Sequence, residues 1–371
     1  DLVEVQLARL WEDVLGTRPI GPDDDFFALG GTSVAALRLA SRIRRELGRD
    51  VPLATLYRGA TVRGLAAQLR SASGEHAWRP LVPIRPGGSR LPFFCVHPVG
   101  GNVLCFVDLA RRLDPRRPFY GLQAAGLGGD RGPHRRLADM AAHYLEEVRC
   151  VQPVGPYLIG GLSFGGYVAF EMAQQLRARG EEVALLALLD TASPLYRGQR
   201  TFHADAAAML AIQAGIIARA AGVELELDAG ELRRLAGVAQ VEAVVERLLS
   251  TVGVARDLGA EQLGRVLALY QHHGLCLESY QPRRFPGRIT VFRAGEEHRA
   301  LAAMLDHPAQ HEPDYGWSEL SAESVVVRQV PGDHSSMIYE PQVVGLAAEL
   351  DAALAVADPV PEPALAAAAD E

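Results

Sequence analysis

The sequence predicts a small all-helical unit followed by a larger α/β unit with a mostly parallel sheet and a helical insertion. Three observations carry this. Over residues 1 to about 70, apolar side chains recur at helical spacing. From Phe93 onward, short apolar runs alternate with helical segments, the pattern of strands joined by crossover helices. Between about 200 and 285 the alternation stops and only helical patterns remain.

In the first unit a helix is expected from Val3 to Leu15, with Val3, Leu7, Leu10, Trp11 and Val14 on one face. A long loop containing Pro19-Ile20-Gly21-Pro22 and the aspartates Asp23 to Asp25 follows. The second helix starts near Ser33, carries Leu37, Leu39, Ile43 and Leu47, and stops at Gly48. Thr61 caps a last helix holding Leu65 and Leu69. These elements define a unit over 1–72. Residues 73–91, rich in Ser, Gly and Pro, read as a linker. The α/β unit is expected over 92–356, with strands at 93–96, 157–160, 183–189, 289–292 and 325–330. Near-continuous apolarity in "VALLALL" suits a strand covered on both faces. The segment from about 195 to 285, with runs such as "AAAMLAIQAGIIARAA", reads as a helical lid over the sheet. The Pro/Ala-rich tail 357–371 reads as disordered.

A length of 371 residues suits two or three domains, and 49% apolar residues provide for a sizeable core. A formal charge of −8 argues against nucleic acid or an anionic membrane as partner. All 37 basic residues are Arg, and without Lys the chain cannot form a Schiff base with pyridoxal phosphate. Cys95, Cys105, Cys150 and Cys276 have no metal-ligand spacing. Set in apolar segments, they read as buried thiols of a reducing compartment, with no metal site. No apolar run reaches a membrane span and no signal peptide opens the chain, so a cytoplasmic protein is expected. It begins with Asp rather than Met, as expected of a piece of a longer polypeptide.

Two serines stand in special surroundings. Ser33 lies in "FFALGGTSVAAL" (26–37) and opens the second helix. Its hydroxyl is either a helix cap or a point of attachment. A mere cap needs no preceding Leu-Gly-Gly. Ser163 lies in Gly161-Leu162-Ser163-Phe164-Gly165. A strand precedes it, and the helix that follows presents Val168, Ala169, Met172, Ala173 and Leu176 on one face before ending at Gly180. Strand, serine, helix is the nucleophile elbow, whose glycines allow a tight turn that lifts the hydroxyl above the sheet edge.

A serine hydroxyl needs a base, and the base an orienting acid. His334 in "VPGDHSSM", just past the final strand, completes the chain order serine, acid, histidine. His97, immediately before Pro98, is expected to be structural, and His272 and His273 fall in a helical segment. Asp333 diverges from its neighbour's ring. Asp190 directly ends the strand 183–189, whereas Glu296 and Glu297 lie a few residues into the loop after 289–292; Asp190 is favoured. Two backbone donors are needed for the oxyanion: Phe164, next after the serine, and Val99 in the Gly-rich turn "HPVGGN".

These motifs resemble two known families. "FFALGGTSVAALRLASRIRRELG" is similar to the peptidyl carrier domain of nonribosomal peptide synthetases, a four-helix unit. "FCVHPVGGN", "GLSFGGYVAFEMA", "LLDTASP" and "VPGDHSSM" resemble the type I thioesterase, an α/β-hydrolase, that terminates such assembly lines. The resemblance implies 4′-phosphopantetheine on Ser33 and a triad of Ser163, Asp190 and His334. Its implied partners are upstream condensation and adenylation domains, a phosphopantetheinyl transferase and a peptidyl substrate. Release would be by hydrolysis or macrocyclisation. Thr32 departs from the family, which often has His or Asp there; which transferase or upstream domain fits best stays open. Other readings are a free-standing serine esterase with a helical docking module, a polyketide-type carrier–thioesterase, and a carrier beside an inactive hydrolase.

Overall fold

The computed structural model describes residues 2–31, 33–49, 61–71, 79–127, 132–196, 206–220, 223–235, 237–251, 260–297 and 312–358. The N-terminal unit contains α1 (Leu2–Leu15), α2 (Ser33–Leu47) and α3 (Val62–Ser71). Its core is the expected apolar stripe: Leu7, Leu10, Trp11 and Val14 close on Leu39, Ile43, Leu65 and Leu69. Phe26 enters from the loop and meets the Trp11 ring edge-on at 5.0 Å. Gly48 takes a left-handed φ of 63° to end α2, and Thr61 Oγ1 accepts the Gly64 N–H at 3.0 Å to cap α3. Any fourth helix of the expected carrier, like Thr32, lies outside the described residues, which omit 50–60.

The larger unit is a seven-stranded sheet in the order β1-β3-β2-β4-β5-β6-β7. Its strands are β1 (Leu81–Arg85), β2 (Phe93–Val96), β3 (Phe119–Leu122), β4 (Tyr157–Leu162), β5 (Val183–Leu189), β6 (Thr290–Ala294) and β7 (Val326–Val330). All neighbours run parallel except β1, which is antiparallel to β3. Strand residues alternate between two apolar layers. Phe94, Val96, Ile159, Leu186, Leu188 and Val291 face α5 (Leu137–Val151) and α6 (Phe164–Ala178). Phe93, Cys95, Leu158, Ala187, Leu189 and Phe292 face α4 (Val107–Arg112) and α11 (Val343–Ala357). Each such buried large side chain contributes about 2 kcal/mol relative to exposure.

The helical insertion holds α7 (Ala206–Ala220), α8 (Ala229–Arg233), α9 (Val238–Thr251) and α10 (Ala260–Glu278). These helices share a core of their own, including Leu210, Ala214, Val244, Leu248, Leu263 and Leu267. Residues 197–205, 221–222, 236 and 252–259 of the segment read as a lid lie outside the described residues.

The structure corrects three expectations. The segment 73–91 is not linker throughout, because β1 occupies 81–85; residues 72–78 lie outside the described residues. Pro83 disguised the strand, yet it is tolerated because β1 is an edge strand bonded to β3 alone. The strand β3 was also not anticipated. Its Gly121 breaks the apolar run but is required, since a Cβ there would stand 2.7 Å from Val103 Cβ. Finally, Cys150 is exposed near the end of α5, whereas Cys95, Cys105 and Cys276 are buried as expected. The tail from 359 lies outside the described residues, and α11 runs to Ala357.

Candidate active site

The parallel strands end at one edge of the sheet, where β2, β4, β5, β6 and β7 each place a polar group of the site. The chain moves from β2 to β3 on one side and then to β4 on the other, so the edge between β2 and β4 is a topological switch point, where α/β proteins form ligand crevices.

Ser163 joins β4 to α6 with φ 54° and ψ −116°, a conformation few non-glycine residues adopt. The glycines around it are there for space. A Cβ at Gly161 would lie 2.1 Å from the Gly165 carbonyl oxygen, one at Gly165 2.3 Å from that of Val96, and one at Gly166 2.1 Å from Thr191 Oγ1. Thr191 Oγ1 in turn donates to the Ser163 carbonyl at 3.0 Å, anchoring the elbow from the β5 side.

His334 Nε2 lies 3.0 Å from Ser163 Oγ, and its Nδ1 lies 2.7 Å from Asp190 Oδ2. Since an ionised carboxylate only accepts, the ring proton sits on Nδ1 and the Nε2 lone pair faces the hydroxyl. Asp190 follows β5 with φ 46°, and its other oxygen accepts the Ala294 N–H at 2.9 Å and the Tyr315 hydroxyl at 3.0 Å. Burial alone would raise the Asp190 carboxyl. The His334 partner, the Ala294 amide and the Tyr315 hydroxyl outweigh it and hold the group below its ordinary value. Asp190 is therefore the ionised orienter of the ring.

The other candidates stand elsewhere. Glu296 and Glu297 are exposed, and the Glu296 amide donates to the Gly332 carbonyl. Asp333 Oδ1 accepts the Ser335 and Ser336 amides at 2.9 and 2.8 Å, a local turn that shapes the His334 loop. His97 is fully buried, with Nε2 2.9 Å from the Tyr144 hydroxyl and Nδ1 2.7 Å from the Pro98 carbonyl. Burial, with His273 nearby, holds its ring well below the ordinary imidazole value, so it is neutral and structural.

Close packing of Gly165 on the Val96 and His97 carbonyls brings the start of α6 against the turn that contains Val99. Among the described residues, neither the Phe164 nor the Val99 amide has a hydrogen-bond partner. The sequence reading missed Tyr315 and Thr191. Tyr315 sits in an irregular segment without periodicity, and only its approach in space to Asp190 marks it.

Comparison with known proteins finds two families in the chain. The thioesterase domain family matches residues 91–354, and the phosphopantetheine attachment site family matches residues 5–69. A dimodular nonribosomal peptide synthase of Bacillus subtilis is 36% identical over 290 residues, 78% of this chain and 12% of that protein. Malpinin synthetase of Mortierella alpina is 44% identical over 191 residues, 51% of this chain and 2% of that protein. The chain thus spans a small part of these relatives.

Among solved structures, a four-domain nonribosomal peptide synthetase bound to AMP and glycine matches with TM-score 0.67 and 29% identity. The match covers 97% of this chain and 26% of that one. The NocB thioesterase domain, in covalent complex with a fluorophosphonate nocardicin G analogue, matches with TM-score 0.52 and 27% identity over 74% of this chain and 99% of that one. With elbow, imidazole and carboxylate at the edge of such a sheet, the chain belongs to the thioesterase domain family, as a serine hydrolase of the α/β-hydrolase fold preceded by a carrier domain with a phosphopantetheine attachment site.

Proposed function

We propose that this chain is the carrier–thioesterase end of a nonribosomal peptide synthetase, taking a peptidyl thioester from its carrier and releasing the product. The observation that carries this reading is the unbroken relay from Asp190 through His334 to Ser163, with contacts of 2.7 and 3.0 Å, on the same polypeptide as a carrier domain.

The carrier fits its group. Ser33 is the first residue of α2, a 15-residue helix with no acidic side chain in its first turn, so its dipole and free amides favour a phosphodiester there. Attached to Ser33, 4′-phosphopantetheine would supply a thiol on a flexible arm to which acyl chains are esterified. A phosphopantetheinyl transferase would install it, and upstream condensation and adenylation domains would load it.

In the hydrolase domain, Ser163 Oγ attacks the thioester carbonyl while His334 Nε2 takes the hydroxyl proton. Asp190 holds the resulting imidazolium. The Phe164 and Val99 amides donate to the oxyanion; both lack partners among the described residues, leaving them available. His334 returns the proton to the departing sulfur, and the acyl group remains as an ester on Ser163. A water, or an amine or hydroxyl of the acyl chain itself, then attacks that ester with His334 again as base. The bond from the acyl carbon to Ser163 Oγ breaks, His334 returns the proton to Oγ, and a free acid or a ring leaves. The insertion α7–α10 acts as the lid governing water access.

Two variants test this. Ser163→Ala is expected to leave loaded acyl chains on the carrier, read by intact mass, with release reduced at least about a thousandfold. Ser33→Ala is expected to abolish the mass gain on incubation with coenzyme A and a transferase. Normal product release by the Ser163 variant would refute the assignment.

A further inference from the structure

The last helix of the insertion grips the turn that follows β2. His273 of α10 is fully buried, and its Nδ1 lies 2.7 Å from the Val99 carbonyl oxygen. Three residues earlier on the same helical face, Tyr270 covers Gly100, where a Cβ would lie 2.7 Å from the tyrosine hydroxyl. The His273 ring also stacks on Phe164, with centroids 4.5 Å apart and planes at 16°, and on His97 at 5.1 Å and 26°. One imidazole from the insertion therefore touches both residues whose amides serve the oxyanion.

The direction of the hydrogen bond follows from chemistry. A carbonyl only accepts, so Nδ1 carries the proton. Burial, countered in part by the Val99 carbonyl, pushes the His273 pKa down to about 4, so the ring stays neutral at pH 7 and donates from Nδ1 alone. The turn needs such an anchor: Val99 leads into Gly100 and Gly101, the latter at φ 83°, and glycine backbone resists rotation poorly. Oxyanion donors act only if they are aimed before the charge develops.

We propose that His273 is a positioning residue for acyl transfer. The Val99 N–H shares its peptide plane with the Pro98 carbonyl, which lies 2.7 Å from His97 Nδ1 and accepts the Gly101 amide at 2.9 Å. His273, stacked on His97 and Phe164, fixes the peptide on the other side of Val99. Val99 is thus clamped at both ends, and oxyanion alignment depends on how α10 is seated. This rests on the reading of Ser163, Val99 and Phe164 given above.

Labelling of the full chain with a fluorophosphonate tests it. In that reaction the bond from Ser163 Oγ to phosphorus forms, the P–F bond breaks, fluoride leaves, and the serine proton passes to His334. The phosphoryl oxygen gathers charge where the amides point. Rates over a range of probe concentrations separate kinact from KI. H273F keeps a stacking ring without a donor, whereas H273N keeps a donor near the Nδ1 position without the ring; thermal unfolding verifies that each is folded.

H273F is expected to lower kinact about tenfold with KI within about twofold, the effect of one hydrogen bond on the chemical step, while H273N stays within about threefold of wild type. Should H273F not fold, H273M replaces it as the donor-free variant. Wild-type kinact without the donor, or a loss in H273N as large as in the donor-free variant, overturns the proposal, since packing alone would rank them so. Failure of the Ser163 assignment would look different: the wild-type chain itself would not be labelled at Ser163.

Discussion

Asp190 carries three obligations at once: it orients His334, accepts the Ala294 amide and accepts the Tyr315 hydroxyl. Each donor favours the ionised form, and a hydrogen bond to a charged group is worth about 1.5–3 kcal/mol. Tyr315→Phe deletes one donor without changing the ring, so turnover of a soluble thioester is expected to fall about tenfold at unchanged KM. Steady-state kinetics check this. Neither Asp190→Asn nor Tyr315→Phe is equivalent to the other. The amide variant presents a donor to Nδ1, inverts the ring tautomer, and is expected to cost on the order of ten-thousandfold in kcat.

Much of this site could be read from the chain itself. Ser163 and His334 stand in short motifs with a fixed relation to strands, and Asp190 ends an unmistakable apolar run. Tyr315, Thr191 and His273 could not be found that way, because what matters for them is a hydrogen bond to a residue 28 to 174 positions distant.

Among the elements, the elbow tolerates least. Gly166 is in the first turn of α6, and a methyl group there would overlap Thr191 Oγ1 at 2.1 Å. Gly166→Ala is therefore expected to destabilise the hydrolase domain by about 2–4 kcal/mol, through overpacking that outweighs the gain in helix propensity. Urea unfolding measures it.

Helix α10 adds a pH dependence. An unfolded His273 takes up a proton near 6.5, but the folded one refuses it until about 4. Between those values the unfolded state binds more protons, so stability falls as pH falls, by about 1.4 kcal/mol per unit and about 3 kcal/mol over the window. The likewise lowered His97 acts in the same direction. Unfolding at pH 7, 5.5 and 4.5 is expected to show this decline. Legibility differed among elements for physical reasons. β4 and β5 are covered on both faces and read as continuous apolar runs, while β1 and β3 hold a proline and a glycine that an edge position and a crowded neighbour respectively permit and demand.

The molecule as a whole is a set of apolar cores under one chain. The carrier core and the insertion core are distinct from the two layers that flank the sheet. Carrier and hydrolase meet at α4, where Val107 reaches the carrier core and Arg111 lies over the Phe27 ring at 5.1 Å and beside Asp25 at 3.2 Å. That ion pair is exposed and worth under about 1 kcal/mol, too little to merge the two cores into one cooperative unit. Calorimetry is expected to show more than one transition, with fluorophosphonate labelling of Ser163 shifting only that of the hydrolase. No helix among the described residues is long and apolar enough to cross a membrane.

One feature of the sheet bears on how this protein wears out. The Val99 turn, Ser163, Asp190 and the Ala294 amide issue from β2, β4, β5 and β6, four rails laid side by side. Their spacing is inherited from the hydrogen-bonded lattice rather than from the loops that crown it. The base and the clamp on the Val99 turn are laid elsewhere: His334 stands in the loop after β7, and α10 of the insertion holds the Val99 carbonyl. Warming that loosens this crown while the rails stay in place is thus expected to cost activity before the sheet melts.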